Sequence, residues 1–212
     1  MLLACLGTTG AGIHGALEFD DTSLFVTAGY GDEKVHGSFR FLNSGDEKVT
    51  IAEIKTSCGC TTATLDKKIY APGESGVIEA FLTIGQREGK ESKKIEVFTD
   101  DTSQPVQILV LNTDIPKILE IRPRLLYWSA GIEPKPKIIT VTVLYPDPLN
   151  IVGVHVSNPS FKATVKPIEA GRIYEVSVDP GAAAASQRGV VYVQTDLSPK
   201  PKRQFYAHLR VQ

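Results

Sequence analysis

Cysteine is scarce in this chain of 212 residues, and the scarcity limits the chemistry that the sequence can support. Only three cysteines occur. The sequence has no second cysteine pair and no histidine at zinc-finger spacing, so a four-ligand structural zinc site is not expected. The Cys-x-x-Cys motif and the βαβ pattern of thioredoxin-type redox sites are also missing.

An excess of charge of either sign is missing as well. The formal net charge is −1 and apolar residues make up 42% of the chain, as in an ordinary globular protein. Because binding to a nucleic acid backbone needs a basic face, we expect no nucleic acid partner. Beyond the first residues, no apolar run reaches the length of a transmembrane segment.

Signatures of catalysis are absent too. The sequence shows no EF-hand spacing, no phosphate-binding glycine pattern and no histidine beside a second ligand or acid at useful spacing. We therefore predict no catalytic residue and no cofactor.

The most informative segment that is present contains two of the three cysteines, Cys58 and Cys60, within Ser-Cys-Gly-Cys-Thr-Thr. In an extended strand, residues two apart share a face at roughly 6.6 Å, near the upper Cα separation for a disulfide. A bend at Gly59 would bring them closer. Three states remain open: a tight disulfide, a reduced dithiol available for redox exchange, or a two-thiolate site for a soft metal such as monovalent copper.

The first 16 residues bear on the compartment. They are small or apolar, lack charge and end in Ala16 before the first acidic residue, Glu18. This resembles the back half of a signal peptide, which predicts export with cleavage near Ala16. As an alternative, Leu2-Leu3-Ala4-Cys5 resembles a bacterial lipobox, which makes Cys5 a lipidation candidate. Removal of the leader would leave only Cys58 and Cys60, and an oxidising compartment would then favour their disulfide.

The rest of the chain is patterned as strands without useful helical periodicity. Short segments rich in β-branched and aromatic residues alternate with turn signals. The predicted strands are Val35–Leu42, Val49–Lys55, Val77–Ile84, Lys93–Thr99, Val106–Asn112, Ile138–Leu144, Ile151–Val156, Ile173–Val178, Gly189–Gln194 and Gln204–Val211. We predict an all-β protein with a leader over 1–16 and two tandem immunoglobulin-like sandwiches over 17–116 and 117–212. The similar order of strands in both halves suggests an internal duplication.

Motifs of the first half carry a resemblance to a family. They are, in order, Phe39-Arg40-Phe41-Leu42-Asn43-Ser44-Gly45, Val49-Thr50-Ile51, Ser57-Cys58-Gly59-Cys60-Thr61, Ala71-Pro72-Gly73-Glu74, and Gly89 ahead of Lys93–Thr99. Residues 17–116 resemble the bacterial family called domain of unknown function 1573. The resemblance implies an immunoglobulin-like sandwich akin to the ASPM-SPD-2-hydin and major-sperm-protein type, usually in exported proteins, with no established catalytic activity.

These observations predict a periplasmic or extracellular, non-enzymatic binding or structural module of the bacterial cell envelope. Its partner would be a protein or an envelope component, met through loops or exposed strand edges. The alternative is a thiol-based function at Cys58 and Cys60, either soft-metal binding or redox exchange.

Overall fold

The computed structural model describes residues 16–181, 186–198 and 203–212. The lipidation candidate Cys5 and all of the predicted leader except Ala16 lie outside these ranges. Within them, no helix has the length and apolar character needed to cross a membrane.

Strands make up the regular structure of the described ranges. They are β1 Leu17–Phe19, β2 Ser23–Thr27, β3 Lys34–Asn43, β4 Val49–Thr56, β5 Thr61–Thr64, β6 Ile69–Tyr70, β7 Ser75–Thr83, β8 Gly89–Thr99, β9 Val106–Ile115, β10 Leu119–Arg122, β11 Leu125–Trp128, β12 Lys137–Val143, β13 Ile151–Val156, β14 Lys162–Glu169, β15 Ile173–Asp179, β16 Gln187–Thr195 and β17 Phe205–Val211.

The chain divides into two compact units. The first contains the described residues up to Thr27 with Lys34–Thr83 and Lys90–Asp114, and the second contains Ala28–Glu33, Ile84–Gly89 and Ile115–Gln212. The domain boundary placed after residue 116 from the sequence stays a prediction.

The first unit has two sheets. One has the strand order β1-β3-β7-β5 and the other β2-β9-β8-β4-β6. β2 pairs with β9 in parallel, whereas β3 pairs with β7 and β4 with β8 in antiparallel fashion. Phe39 and Phe41 alternate along β3 and are both buried, as the alternation of a strand that faces a core on one side requires.

The second unit repeats this arrangement. Its sheets have the orders β10-β12-β15-β14 and β11-β17-β16-β13, and β11 again pairs in parallel with β17. Its core includes Trp128, Phe161, Tyr174 and the valines of the central strands. The prediction of an all-β fold with two immunoglobulin-like sandwiches is confirmed, and the common strand order supports the duplication inferred from sequence.

The strands that the sequence analysis missed all lie at sheet edges. They are β1, β2, β5, β6, β10, β11 and β14. Edge strands are short or carry residues that oppose pairing, such as Pro167 in β14, so their alternation is weak. β10, at Leu119–Arg122, pairs with β12 of the second unit.

Asn43 joins the last residues of β3 to three other segments. Its side chain is fully buried. The amide Nδ2 donates to the carbonyls of Glu47 at 2.8 Å and Tyr70 at 3.0 Å, and Oδ1 accepts from the N–H groups of Ala16 at 3.2 Å and Gly45 at 3.1 Å. All four hydrogen-bonding positions of the amide are therefore used.

Replacing Asn43 with alanine should lower the free energy of unfolding by roughly 2–4 kcal/mol, because buried backbone groups lose their partners. Chemical denaturation followed by circular dichroism measures the change. Asn112→Ala is the matched control, since Asn112 makes a single side-chain bond, to Ser23 at 3.0 Å, in an exposed setting. Equal losses in the two variants would contradict this role of Asn43.

Candidate functional site

The cysteine motif forms the corner at which the chain crosses from one sheet of the first sandwich to the other. β4 belongs to the sheet that contains β8, whereas β5 pairs with β7 in the opposite sheet. Residues 57–60 connect them. The motif is therefore a sheet-to-sheet connection at one end of the sandwich.

Cys58 and Cys60 are brought together at this corner. Their Sγ atoms are 1.95 Å apart and their Cα atoms 5.2 Å apart. The Cα separation is shorter than that of an extended strand, because the N–H of Thr61 donates to the carbonyl of Cys58 at 3.2 Å and closes a turn. Both cysteines are half-buried, and Gly59 between them is exposed.

Hydrogen bonds hold the corner to both sheets. Ser57 exchanges two bonds with Lys94 of β8: its N–H donates to the Lys94 carbonyl at 3.0 Å, and its Oγ accepts from the Lys94 N–H at 3.2 Å. On the other side, the Cys60 carbonyl accepts from the N–H of Thr83, in β7, at 2.9 Å. The corner is thus fixed to the sandwich independently of the sulfur atoms.

The side chains of two threonines, Thr56 and Thr61, make further polar contacts within the corner. The hydroxyl of Thr56 shares its one proton between the carbonyls of Cys58 and Thr61, which lie 3.1 and 3.0 Å from Oγ1. The buried Oγ1 of Thr61 lies 3.4 Å from the Cys58 Sγ. Flanking threonines therefore surround the cysteine pair with polar contacts, a role that the strand pattern of the sequence does not reveal.

The second unit has the same corner without cysteine. Ser157 follows β13 and exchanges with Val190 the two bonds that Ser57 exchanges with Lys94, both at 2.9 Å. Phe161, which precedes β14, donates its N–H to the carbonyl of Asn158 at 3.1 Å. The repeated bonds make Asn158 the counterpart of Cys58.

In this second corner a side-chain hydrogen bond takes the place of the sulfur contact. The Oδ1 of Asn158 accepts from the N–H of Ser160 at 3.0 Å. Ser160 occupies the position that Cys60 has in the first corner. The link between the first and third residues of the turn is therefore made twice in this protein, once by an Asx hydrogen bond and once by a cysteine pair.

Gly59 is not required by the backbone of the turn. Its φ lies outside the left-handed region, unlike that of Gly73 or Gly85. A Cβ built on Gly59 would meet no heavy atom within 4 Å. The N–H groups of Cys58, Gly59 and Cys60 make no hydrogen bond to the described part of the chain. The corner, exposed at Gly59, therefore presents N–H groups that have no hydrogen-bond partner among the described residues.

Metal binding gains no support from this geometry. Among the described residues, no group of three or more histidine, cysteine, aspartate or glutamate side chains is placed to hold a metal ion. His36, the histidine nearest in sequence to the cysteine pair, instead contacts Glu79 at 2.5 Å and stacks on Phe81.

His36 also belongs to a cluster that sequence reasoning missed, because its members come from β3 and β7. The Oγ of Ser38 donates to Glu79 Oε2 at 2.6 Å and lies 3.4 Å from His36 Nε2. These bonds lower the pKa of Glu79, first through Ser38 and then through His36. A Ser-His-acid relay needs serine and acid on different imidazole nitrogens, whereas here both contact Nε2, so the cluster does not activate the serine.

Residues 17–114 match the model of a family described as "Protein of unknown function (DUF1573)". This segment, slightly less than half of the chain, is similar to that family, and we call it the DUF1573 domain. The resemblance inferred from the motifs is thereby confirmed for the first unit. No curated protein matches the chain.

Several solved structures are similar to the chain that carries this DUF1573 domain. A protein of unknown function from Porphyromonas gingivalis W83 is 13% identical with a TM-score of 0.35, covering 93% of this chain and 100% of that one. The YadV chaperone is 12% identical with a TM-score of 0.37, and the match covers 91% of this chain and 99% of the chaperone chain. An ASH/PapD-like domain of human CEP192 is 10% identical with a TM-score of 0.37, covering 54% and 94%. At these scores we draw no functional conclusion from the likeness.

Alanine should be tolerated at the motif glycine of the DUF1573 domain and rejected at a glycine outside the motif. Gly59→Ala should change the free energy of unfolding by less than about 0.5 kcal/mol. Gly76→Ala should cost roughly 1–3 kcal/mol, because its Cβ would lie 2.4 Å from Phe41 and 2.5 Å from Tyr70. Urea denaturation of both variants tests this, and a Gly59→Ala loss as large as that of Gly76→Ala would contradict the geometry.

Placing the asparagine and serine of the second corner at positions 58 and 60 should restore part of the stability that the cysteine pair gives the DUF1573 domain. Loss of the pair in Cys58→Ala with Cys60→Ala should cost roughly 1–2 kcal/mol under oxidising conditions, since the closed loop is short. Cys58→Asn with Cys60→Ser should recover about 0.5–1.5 kcal/mol of this through the Asx bond. Denaturation of both double variants beside the oxidised wild type provides the measurement. Equal stability of the two would show that the corners are not equivalent.

Proposed function

We propose that the protein is an exported, non-enzymatic binding module of the bacterial cell envelope, in which Cys58 and Cys60 form a disulfide. The observation that carries the proposal is the corner itself, where the two sulfur atoms are in bonding contact and the N–H groups of Cys58, Gly59 and Cys60 have no hydrogen-bond partner in the described chain. Disulfides persist in oxidising compartments, which agrees with the signal-peptide-like character of residues 1–16.

The edge strand beside the corner supports a binding role. β5 follows Cys60 directly and is the last strand of its sheet, where it pairs with β7 alone. An edge of this kind can accept a strand from a partner through main-chain hydrogen bonds. We place the partner contact at the corner tip and β5 together, with a protein of the envelope as the partner class.

The thiol alternative is weaker on this geometry. Redox exchange or copper binding needs accessible thiolates, and a two-coordinate copper site needs sulfur atoms on opposite sides of a metal rather than in mutual contact. Nothing around the corner supplies a further soft ligand among the described residues.

Site-specific photo-cross-linking in cells that produce the complete natural protein tests the proposal. A photoreactive amino acid in place of Thr62, an exposed residue of β5, should give a covalent adduct in the envelope fraction. The same amino acid in place of Asp46, exposed in the turn at the opposite end of β4, should give none. In a second measurement, the protein is recovered without reductant, denatured and treated with an alkylating reagent. Its mass should show that neither Cys58 nor Cys60 has been alkylated.

Three outcomes would overturn the proposal or a part of it. Recovery of the protein from the cytosol would refute export. Two alkylated thiols in exported protein would refute the disulfide. An equal yield of adduct at both positions would refute a partner site at the corner and β5.

A further inference from the structure

One sheet of the second unit differs from the others in its charge pattern. Its four strands, β11, β13, β16 and β17, contain Arg188 and Arg210 and no other lysine, arginine, aspartate or glutamate. The opposite sheet of the same unit mixes both signs and includes the ion pairs Arg122–Glu120 and Lys166–Glu175. The absence of carboxylates on one whole sheet leaves its two cations without local neutralisation.

The two arginines lie directly opposite each other. Arg188 of β16 is the register partner of Arg210 of β17. Neither guanidinium makes a hydrogen bond or ion pair with any residue that the structure describes. Like charges in directly opposed positions of an antiparallel pair are destabilising. A folded protein thus keeps a repulsive pair on an exposed face, which an anionic partner group would relieve.

Aromatic side chains lie beside this arginine pair on the same side of the sheet. Val190 lies opposite His208 and Tyr192 opposite Tyr206, and His155 of β13 lies opposite Tyr192 on its other side. The ring centroids of His155 and Tyr192 are 6.3 Å apart, and those of Tyr192 and Tyr206 are 6.1 Å apart. A ladder of rings therefore crosses three strands.

An apolar margin borders the arginine pair. Leu125 is 52% exposed and Tyr127 45% exposed on the neighbouring strand β11. A groove of about 420 Å³ lies between Leu125, His208 and the two arginines. The centres of protein–protein interfaces are rich in tyrosine, arginine and apolar groups and poor in lysine, aspartate and glutamate. This face has the same composition.

We propose that this face, which we call the arginine-tyrosine face, binds an acidic segment of a partner protein whose carboxylates pair with Arg188 and Arg210. Arginine favours carboxylates through paired, parallel hydrogen bonds. Two arginines without lysines fall short of the basic clusters that bind anionic membranes.

The proposal extends the proposed binding function to the second unit, but it does not depend on export or on the cysteine corner. It is tested on the purified full chain with a random copolymer of glutamate and tyrosine as the probe, in an affinity measurement at low and high salt. Wild type should bind, and binding should weaken as the salt concentration rises. Arg188→Gln with Arg210→Gln should weaken binding at least about tenfold.

A control of equal charge change separates the site from the net charge. Lys117→Gln with Lys162→Gln removes two positive charges elsewhere in the second unit and should leave binding unchanged. Thermal unfolding adds a second readout, because removal of the repulsive arginine pair should leave stability equal or higher while binding falls. Backbone chemical shifts of the wild type should move on β16 and β17 when the copolymer is added, which requires no variant.

The proposal is overturned if wild type does not bind the copolymer, or if the arginine variant binds as tightly as the lysine control variant. Preferential binding of dextran sulfate or of phosphatidylglycerol vesicles would assign the face to a polysaccharide or a membrane instead. Loss of cross-linking at residue 62 with copolymer binding intact would refute the corner site alone.

Discussion

The crossing between the two sheets is the constraint on which each sandwich depends. A strand such as β4 must end in one sheet and its successor β5 must begin in the other, and the connecting residues leave the hydrogen bonds of both sheets. Buried or half-buried backbone in such a corner needs partners. The protein supplies such partners in the same way twice: a serine exchanges two bonds with the neighbouring strand, and a turn is closed by a bond from Thr61 to Cys58 in one unit and from Phe161 to Asn158 in the other.

This shared solution explains why the cysteine pair is informative about function. Because Asn158 and Ser160 close the second corner without sulfur, the fold itself does not require cysteine at that place. What differs between the corners is durability: a covalent link would hold the tip in one shape when strands nearby open, whereas an Asx bond exchanges with water. A tip of fixed shape is useful where a partner must recognise it, since less conformational freedom is then lost on binding.

The central strands and the family resemblance of the first unit could be predicted from the sequence. The edge strands of its sheets and its side-chain clusters could not. Central strands such as β3 and β9 alternate buried and exposed residues over ten positions, so their period is visible. β5 has four residues and β14 contains Pro167, and neither gives a clear pattern. Asn43 belongs to one of the family motifs, yet its four hydrogen bonds join segments up to 27 positions apart, and no local pattern encodes them.

The arginine-tyrosine face shows how a duplication can separate two tasks. The second unit keeps the strand order and the corner bonds of the first, so these features serve folding in both. The strand β8, which matches β16 in position, carries both lysines and glutamates, and Lys93 forms an ion pair with Glu91. β16 has instead no carboxylate and a single arginine, which lies opposite the arginine of β17. The fold of the first unit forms without such a pair and opposed like charges destabilise a sheet, so the negative charge of the proposed partner gives the arginine pair a role that packing does not.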